Sequence, residues 1–170
     1  TFGGLLTVST NPADMVLAAE ALPDALPNLL DKHQGLLLIK CMDRMADEPE
    51  LLLRLSRIFG TEVESYHETR MARQNVHPEI PEIFMVSNIP PSDRTPPPQP
   101  NPSRNKDGSF PRQFPHRRGW HTDQSYRRPP PDISLFFCVV AAPKGQAQTL
   151  YANGIAAYEG LSPSMKIRVS

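Results

Sequence analysis

Only two cysteines occur in the chain, Cys41 and Cys138, far apart and without a Cys-x-x-Cys arrangement. That scarcity argues against a disulfide scaffold and for a reducing, cytoplasmic setting. Long apolar runs are missing too. No stretch reaches the ~18 uninterrupted apolar residues of a membrane span, and the opening TFGGLLTVST has neither a positive head nor an apolar core of signal-peptide length. Net charge is absent: 18 Lys and Arg balance 18 Asp and Glu. Without a basic excess, the footprint of a nucleic-acid binder is not there. The Gly-x-Ser-x-Gly, phosphate-loop and dinucleotide patterns are lacking, and Ser125, His121 and Asp123 are too closely bunched to form a converging nucleophilic triad.

What the chain does have is enough apolar material, 39% of 170 residues, for a core of one ordinary domain. It also has proline, placed unevenly. Twelve of the 20 prolines fall between Pro90 and Pro131. Residues 91 to 130 hold eight Lys or Arg against three Asp, a local surplus of five positive charges. The segment 90–118 is too long and proline-rich for a normal connection, and is expected to be an insertion or an active-site lid. Its PxxP-like content also suits polyproline docking to a partner.

Elsewhere the patterning is more regular. Residues 13 to 21 predict a short helix, with Pro23 and Pro27 predicting an irregular turn after it. The run QGLLLIKC, 34 to 41, predicts a buried strand. A second helix is expected with Asp47 as its cap, Pro49 in the first turn, Glu50 at the third helical position and Gly60 as its stop. Leu51, Leu55, Ile58 and Phe59 recur along it at helical spacing. Strands are expected over 82–89, 132–140 and 147–152, with APKGQ as a turn around Gly145. A short helix over 153–162 should pack Ile155, Ala156 and Tyr158 back on a sheet. The fold class is therefore α+β, a sheet-dominated domain with flanking helices.

The chemistry concentrates in GWHTDQSYRRPPPD, residues 119 to 132. In extended backbone, His121 and Asp123 project to one face, where an imidazole and a carboxylate can share a divalent ion. The open-sided iron geometry of non-haem oxygenases needs one more histidine. His33 reads as an exposed turn residue and His116 as a loop residue. His67 and His77 could reach the pair from an earlier element, and the residues alone prefer no third ligand. Taken without context, a structural His–Asp hydrogen bond, a surface pair or another metal explains the motif better than iron.

The longer block WHTDQSYRRPPPDISLFFCVVAAPKGQAQTLYANGIAAYEGLSP resembles the taurine dioxygenase (TauD/TfdA-like) family of Fe(II)/2-oxoglutarate-dependent oxygenases. GLLLIKC and LLLRLSRIFG resemble the early strand and helix of the same family. The resemblance implies a double-stranded β-helix, or jelly roll, with flanking helices. It implies Fe(II) as metal, 2-oxoglutarate as cosubstrate, and hydroxylation of a small organic substrate with release of succinate and CO2; positive charge from Arg117, Arg118, Arg127 and Arg128 would suit an anionic substrate, or these residues form a solvated basic loop. His121 and Asp123 would be the first two iron ligands and Thr149 a donor to a 2-oxoglutarate carboxylate. Trp120 would pack beside the metal. Arg117 would take a substrate-proximal position, with Arg118, Arg127 and Arg128 adding positive charge nearby.

The family's distal histidine and arginine have no counterpart before Ser170. Residues 1–170 are accordingly expected to be the N-terminal portion of one oxygenase domain, with unpaired strands and exposed core. Neither nucleic acid nor membrane is expected as a partner, and self-association is compatible with the reading. The alternative is a noncatalytic, oxygenase-like interaction or regulatory module that uses its proline-rich loop.

Overall fold

Strands β1 (Gly4–Thr7) and β2 (Leu37–Lys40) run parallel, in register from Gly4 opposite Leu37 to Thr7 opposite Lys40. They come from a computed structural model that describes residues 2–65, 76–86, 106–108, 120–125, 127–145 and 148–170. Parallel pairing requires a crossover, and helices α1 (Pro12–Ala21) and α2 (Ala25–Lys32) supply it. The pleat sends Leu6 and Ile39 to a half-buried face and Leu5 and Leu38 to an exposed one.

Helix α1 begins where Asn11 Oδ1 accepts the Asp14 N–H at 2.8 Å, with Pro12 in the first turn. Its Met15, Val16 and Ala19 are buried. The irregular turn expected after it is instead mostly helix α2. Pro27 stands third in that helix, where its missing N–H would have had no intrahelical partner anyway.

The expected strand over 34–41 is present as β2. The next helix is present too, as α3 (Glu50–Arg57), but it starts later than Asp47. Asp43–Ala46 form a 3-10 turn, and Pro49 stands at the helix start without a side-chain cap. Leu51 and Leu52 close tight bonds back to the carbonyls of Glu48 and Pro49 at 2.9 and 3.0 Å, which winds the first turn as 3-10. Leu51, Leu53 and Leu55 are buried.

The later strand expectations are not met among the described residues. Of the strand over 82–89, there is an isolated antiparallel bridge between Val76 and Phe84, and residues 87–89 lie outside the description. Residues 132–140 and 148–152 form no ladder. The turn at Gly145 is present, with φ +81°. Helices α4 (Gly154–Glu159) and α5 (Pro163–Val169) follow, but bury nothing. Ile155 is 74% exposed, so the expected packing of 155, 156 and 158 on a sheet is absent. The sheet on which these residues were expected to pack is missing, since residues 132–140 and 148–152 form no ladder.

The chain divides into two compact units, Thr1–Arg44 with Val139–Ser170, and Met45–Cys138. Within the first, Asn153 at the start of α4 donates from Nδ2 to Gln34 Oε1 at 3.0 Å, in the turn behind α2. The described architecture is mixed helix and strand with a small parallel sheet; a jelly roll is not among its elements. Apart from 106–108, the proline-rich segment expected as a lid lies outside the described residues. Among the described residues, no helix is long and apolar enough to cross a membrane.

Candidate metal site

Behind the bend at Trp120, residues 121 and 122 lack regular structure, and residues 123 to 125 turn. Gln124 takes φ +52°, and the Arg127 N–H donates to Gln124 O at 2.9 Å. The side chains of His121 and Asp123 converge where the chain turns, not in the extended strand expected: Nε2 to Oδ1 is 3.2 Å, with the side chains 55% and 45% exposed.

That separation can be tested against a metal. Two donors each about 2.1 Å from one divalent ion, at right angles, stand about 3.0 Å apart. The pair therefore fits adjacent positions on a single ion, and nitrogen plus carboxylate oxygen suits divalent iron. It also fits a His–Asp hydrogen bond. No cluster of three or more His, Cys, Asp or Glu that could hold a metal occurs among the described residues.

The other histidines divide plainly. His67 and His116 lie outside the described residues. His77 Nδ1 accepts from the N–H groups of Glu79 and Ile80 at 3.3 and 3.1 Å. In the neutral ring the proton then sits on Nε2, leaving no free lone pair for a metal. His33, expected to be an exposed turn residue, is half-buried at the end of α2, and its Nδ1 is buried without a hydrogen-bond partner. An added Cβ on Gly4 would meet the His33 ring at 2.5 Å, a measure of how closely strand and ring approach.

Trp120, expected to pack beside the pair, is 73% exposed. Thr149 is exposed in chain without regular structure, in the first unit, whereas His121 and Asp123 belong to the second. Arg117 and Arg118 lie outside the described residues. Arg127 pairs with Glu64, and its Nη1 donates to Gln124 Oε1 at 3.1 Å. Arg128 Nη1 donates to the carbonyls of Ser125 and Arg127 at 2.9 and 2.8 Å. Glu64 and Gln124 carried no signal in the sequence, because their importance depends on contacts that spacing does not reveal. A surface depression of about 280 Å³ lined by Thr10, Asn11, Pro12, Cys41, Asp43 and Arg44 contains none of the residues expected to act.

Comparison with known proteins decides the family. Residues 11–169 match the model of the family described as taurine catabolism dioxygenase TauD, TfdA family. The chain belongs to the TauD/TfdA family. A curated relative, the alpha-ketoglutarate-dependent sulfonate dioxygenase of Saccharomyces cerevisiae, is 46% identical over 48 residues. That match covers 28% of this TauD/TfdA chain and 11% of the relative. No solved structure matches it.

Proposed function

We propose that this TauD/TfdA chain carries the iron-binding pair of a 2-oxoglutarate-dependent dioxygenase whose complete domain is a double-stranded β-helix. The observation that supports the reading most directly is the 3.2 Å separation of His121 Nε2 and Asp123 Oδ1, a spacing that fits two adjacent ligands on one ion, within a TauD/TfdA sequence. Both groups are about half open to solvent, so a metal can be taken up without unfolding the loop. Bound Fe(II) would supply redox chemistry that couples oxidation of 2-oxoglutarate by O2, to succinate and CO2, with insertion of one oxygen atom into a substrate C–H bond.

Around that centre, His121 contributes a neutral imidazole nitrogen and Asp123 a negative oxygen, leaving positions on the ion for small molecules. Thr149 is the hydroxyl donor proposed for a 2-oxoglutarate carboxylate. Trp120 and Arg117 are proposed to border the substrate. We take the substrate to be a small organic anion, and the sulfonate named for the yeast relative supports that class. A cytoplasmic setting belongs to the same proposal; self-association is compatible with it.

Incubating the native protein anaerobically with Fe(II) and 2-oxoglutarate, and then admitting air with a panel of alkyl sulfonates and carboxylates, tests the reading. Succinate release should require both Fe(II) and 2-oxoglutarate, rise with one class of anion, and vanish in His121→Ala and Asp123→Ala. Succinate release that is absent, or indifferent to iron, rules it out.

A further inference from the structure

The turn beginning immediately after Asp123 is met at several points by one residue, Arg127. Arg127 donates its backbone N–H to Gln124 O at 2.9 Å and Nη1 to Gln124 Oε1 at 3.1 Å. The same guanidinium pairs with Glu64, in the segment following α3, and the two side chains are only 34% and 28% exposed. Gln124 needs such support. Its φ of +52° lies in the left-handed region, which a residue bearing a Cβ adopts at a cost.

We propose that Arg127 is a positioning residue for the His121–Asp123 pair, acting through Gln124 and Glu64, rather than an anchor for an anionic substrate. The inference rests on reading that pair as metal ligands. Gln124 follows Asp123 directly, so its backbone conformation sets how the chain leaves the carboxylate. A short loop with only local contacts would sample many His–Asp separations. The Glu64 pair ties it to a distant part of the same unit. One guanidinium nitrogen, Nη1, meets both the Gln124 amide oxygen and the Glu64 carboxylate, and the rigid planar group fixes that nitrogen where the ammonium on a flexible lysine chain would be free to move. Arg128 reinforces the same turn, donating to the carbonyls of Ser125 and Arg127.

The sign of the effect on metal binding separates positioning from simple electrostatics. Removing a cation near a bound dication relieves repulsion, so a purely electrostatic Arg127 would make metal bind more tightly when lost. A positioning Arg127 does the reverse. Removal of groups that orient metal ligands typically costs about 10–100-fold in affinity.

The test is anaerobic titration of the native protein with Co(II), read by its visible d–d absorption, with far-UV circular dichroism as the folding check. Arg127→Met, Arg127→Lys and Glu64→Gln should each weaken Co(II) binding about tenfold and alter the band shape. The double variant Glu64→Arg with Arg127→Glu should recover part of the loss seen in either single reversal, which keeps the test informative if Arg127→Met folds poorly. Unchanged or tighter Co(II) binding in folded Arg127→Met, with the native band shape, overturns the proposal. So does a raised KM for an anionic substrate with metal binding intact. Undiminished Co(II) binding in His121→Ala removes the metal-ligand reading itself, a distinguishable failure.

Discussion

A His–Asp pair half open to water adds little to folding, since solvent screens the attraction and exposed ion pairs contribute only about 0–1 kcal/mol. A metal held by both groups behaves differently, because a ligand that binds the folded state alone stabilises it by mass action. At a hundredfold excess over Kd the gain is about 2.7 kcal/mol. Replacing His121 or Asp123 with alanine should therefore barely change the unfolding temperature of the metal-free native protein, while abolishing the upward shift produced by Co(II) or Fe(II). Differential scanning calorimetry with and without metal checks this. A large destabilisation without metal, and an unchanged shift with it, would identify a structural hydrogen bond instead. The closeness of these two side chains was legible in the His-x-Asp spacing, although they meet where the chain turns and not by strand alternation. The support given by Glu64 and Gln124 was not, because an ion pair between positions 64 and 127 leaves no local trace.

Elements with local signals were the ones recovered from the sequence. Helices α1, α4 and α5 each begin at an Asn or Ser whose side-chain oxygen accepts an N–H three residues on, at 2.8, 3.0 and 3.3 Å. Asn-Pro, Asn-Gly and Ser-Pro mark those starts, although α5 was not separately expected. Strand β1 and helix α2 were missed for opposite reasons: β1 becomes regular only through its pairing with β2, and the prolines near α2 disguise a helix that tolerates one in its first turn. Asn153 does more than cap, since its Nδ2 also reaches Gln34 Oε1 at 3.0 Å. Asn153→Ala should lower stability by about 1–2 kcal/mol, the cap and the amide contact together. Asn153→Ser retains a capping oxygen and should lose less than half as much. Urea denaturation of the native protein distinguishes the two, and equal losses would show that the Gln34 contact dominates over the cap.

Across the whole molecule, burial and hydrophobicity part company after residue 132. Among the described residues, the buried ones lie between Pro12 and Ile80, whereas none from 133 to 170 is buried. Yet that stretch includes Phe136, Val140, Ile155 and Ile167, between 66% and 84% exposed. Exposed apolar side chains thus cluster in this stretch, and the strands expected there lack the hydrogen-bonded neighbours that a strand requires. Covering one such side chain fully is worth about 1.5–3 kcal/mol, a drive toward association when several stand open. A polypeptide limited to residues 1–170 should bind a hydrophobic dye and elute as assemblies in gel filtration. Val140→Lys with Ile167→Lys should move it toward the monomer without reducing its helical circular dichroism, because the buried residues of α1 to α3 are untouched. In any longer native polypeptide that covers these positions, each replacement should instead destabilise by about 1.5–3 kcal/mol, the lost apolar burial. A monodisperse 1–170 polypeptide that excludes the dye, and is indifferent to both lysines, would mean that this apolar stretch packs on itself.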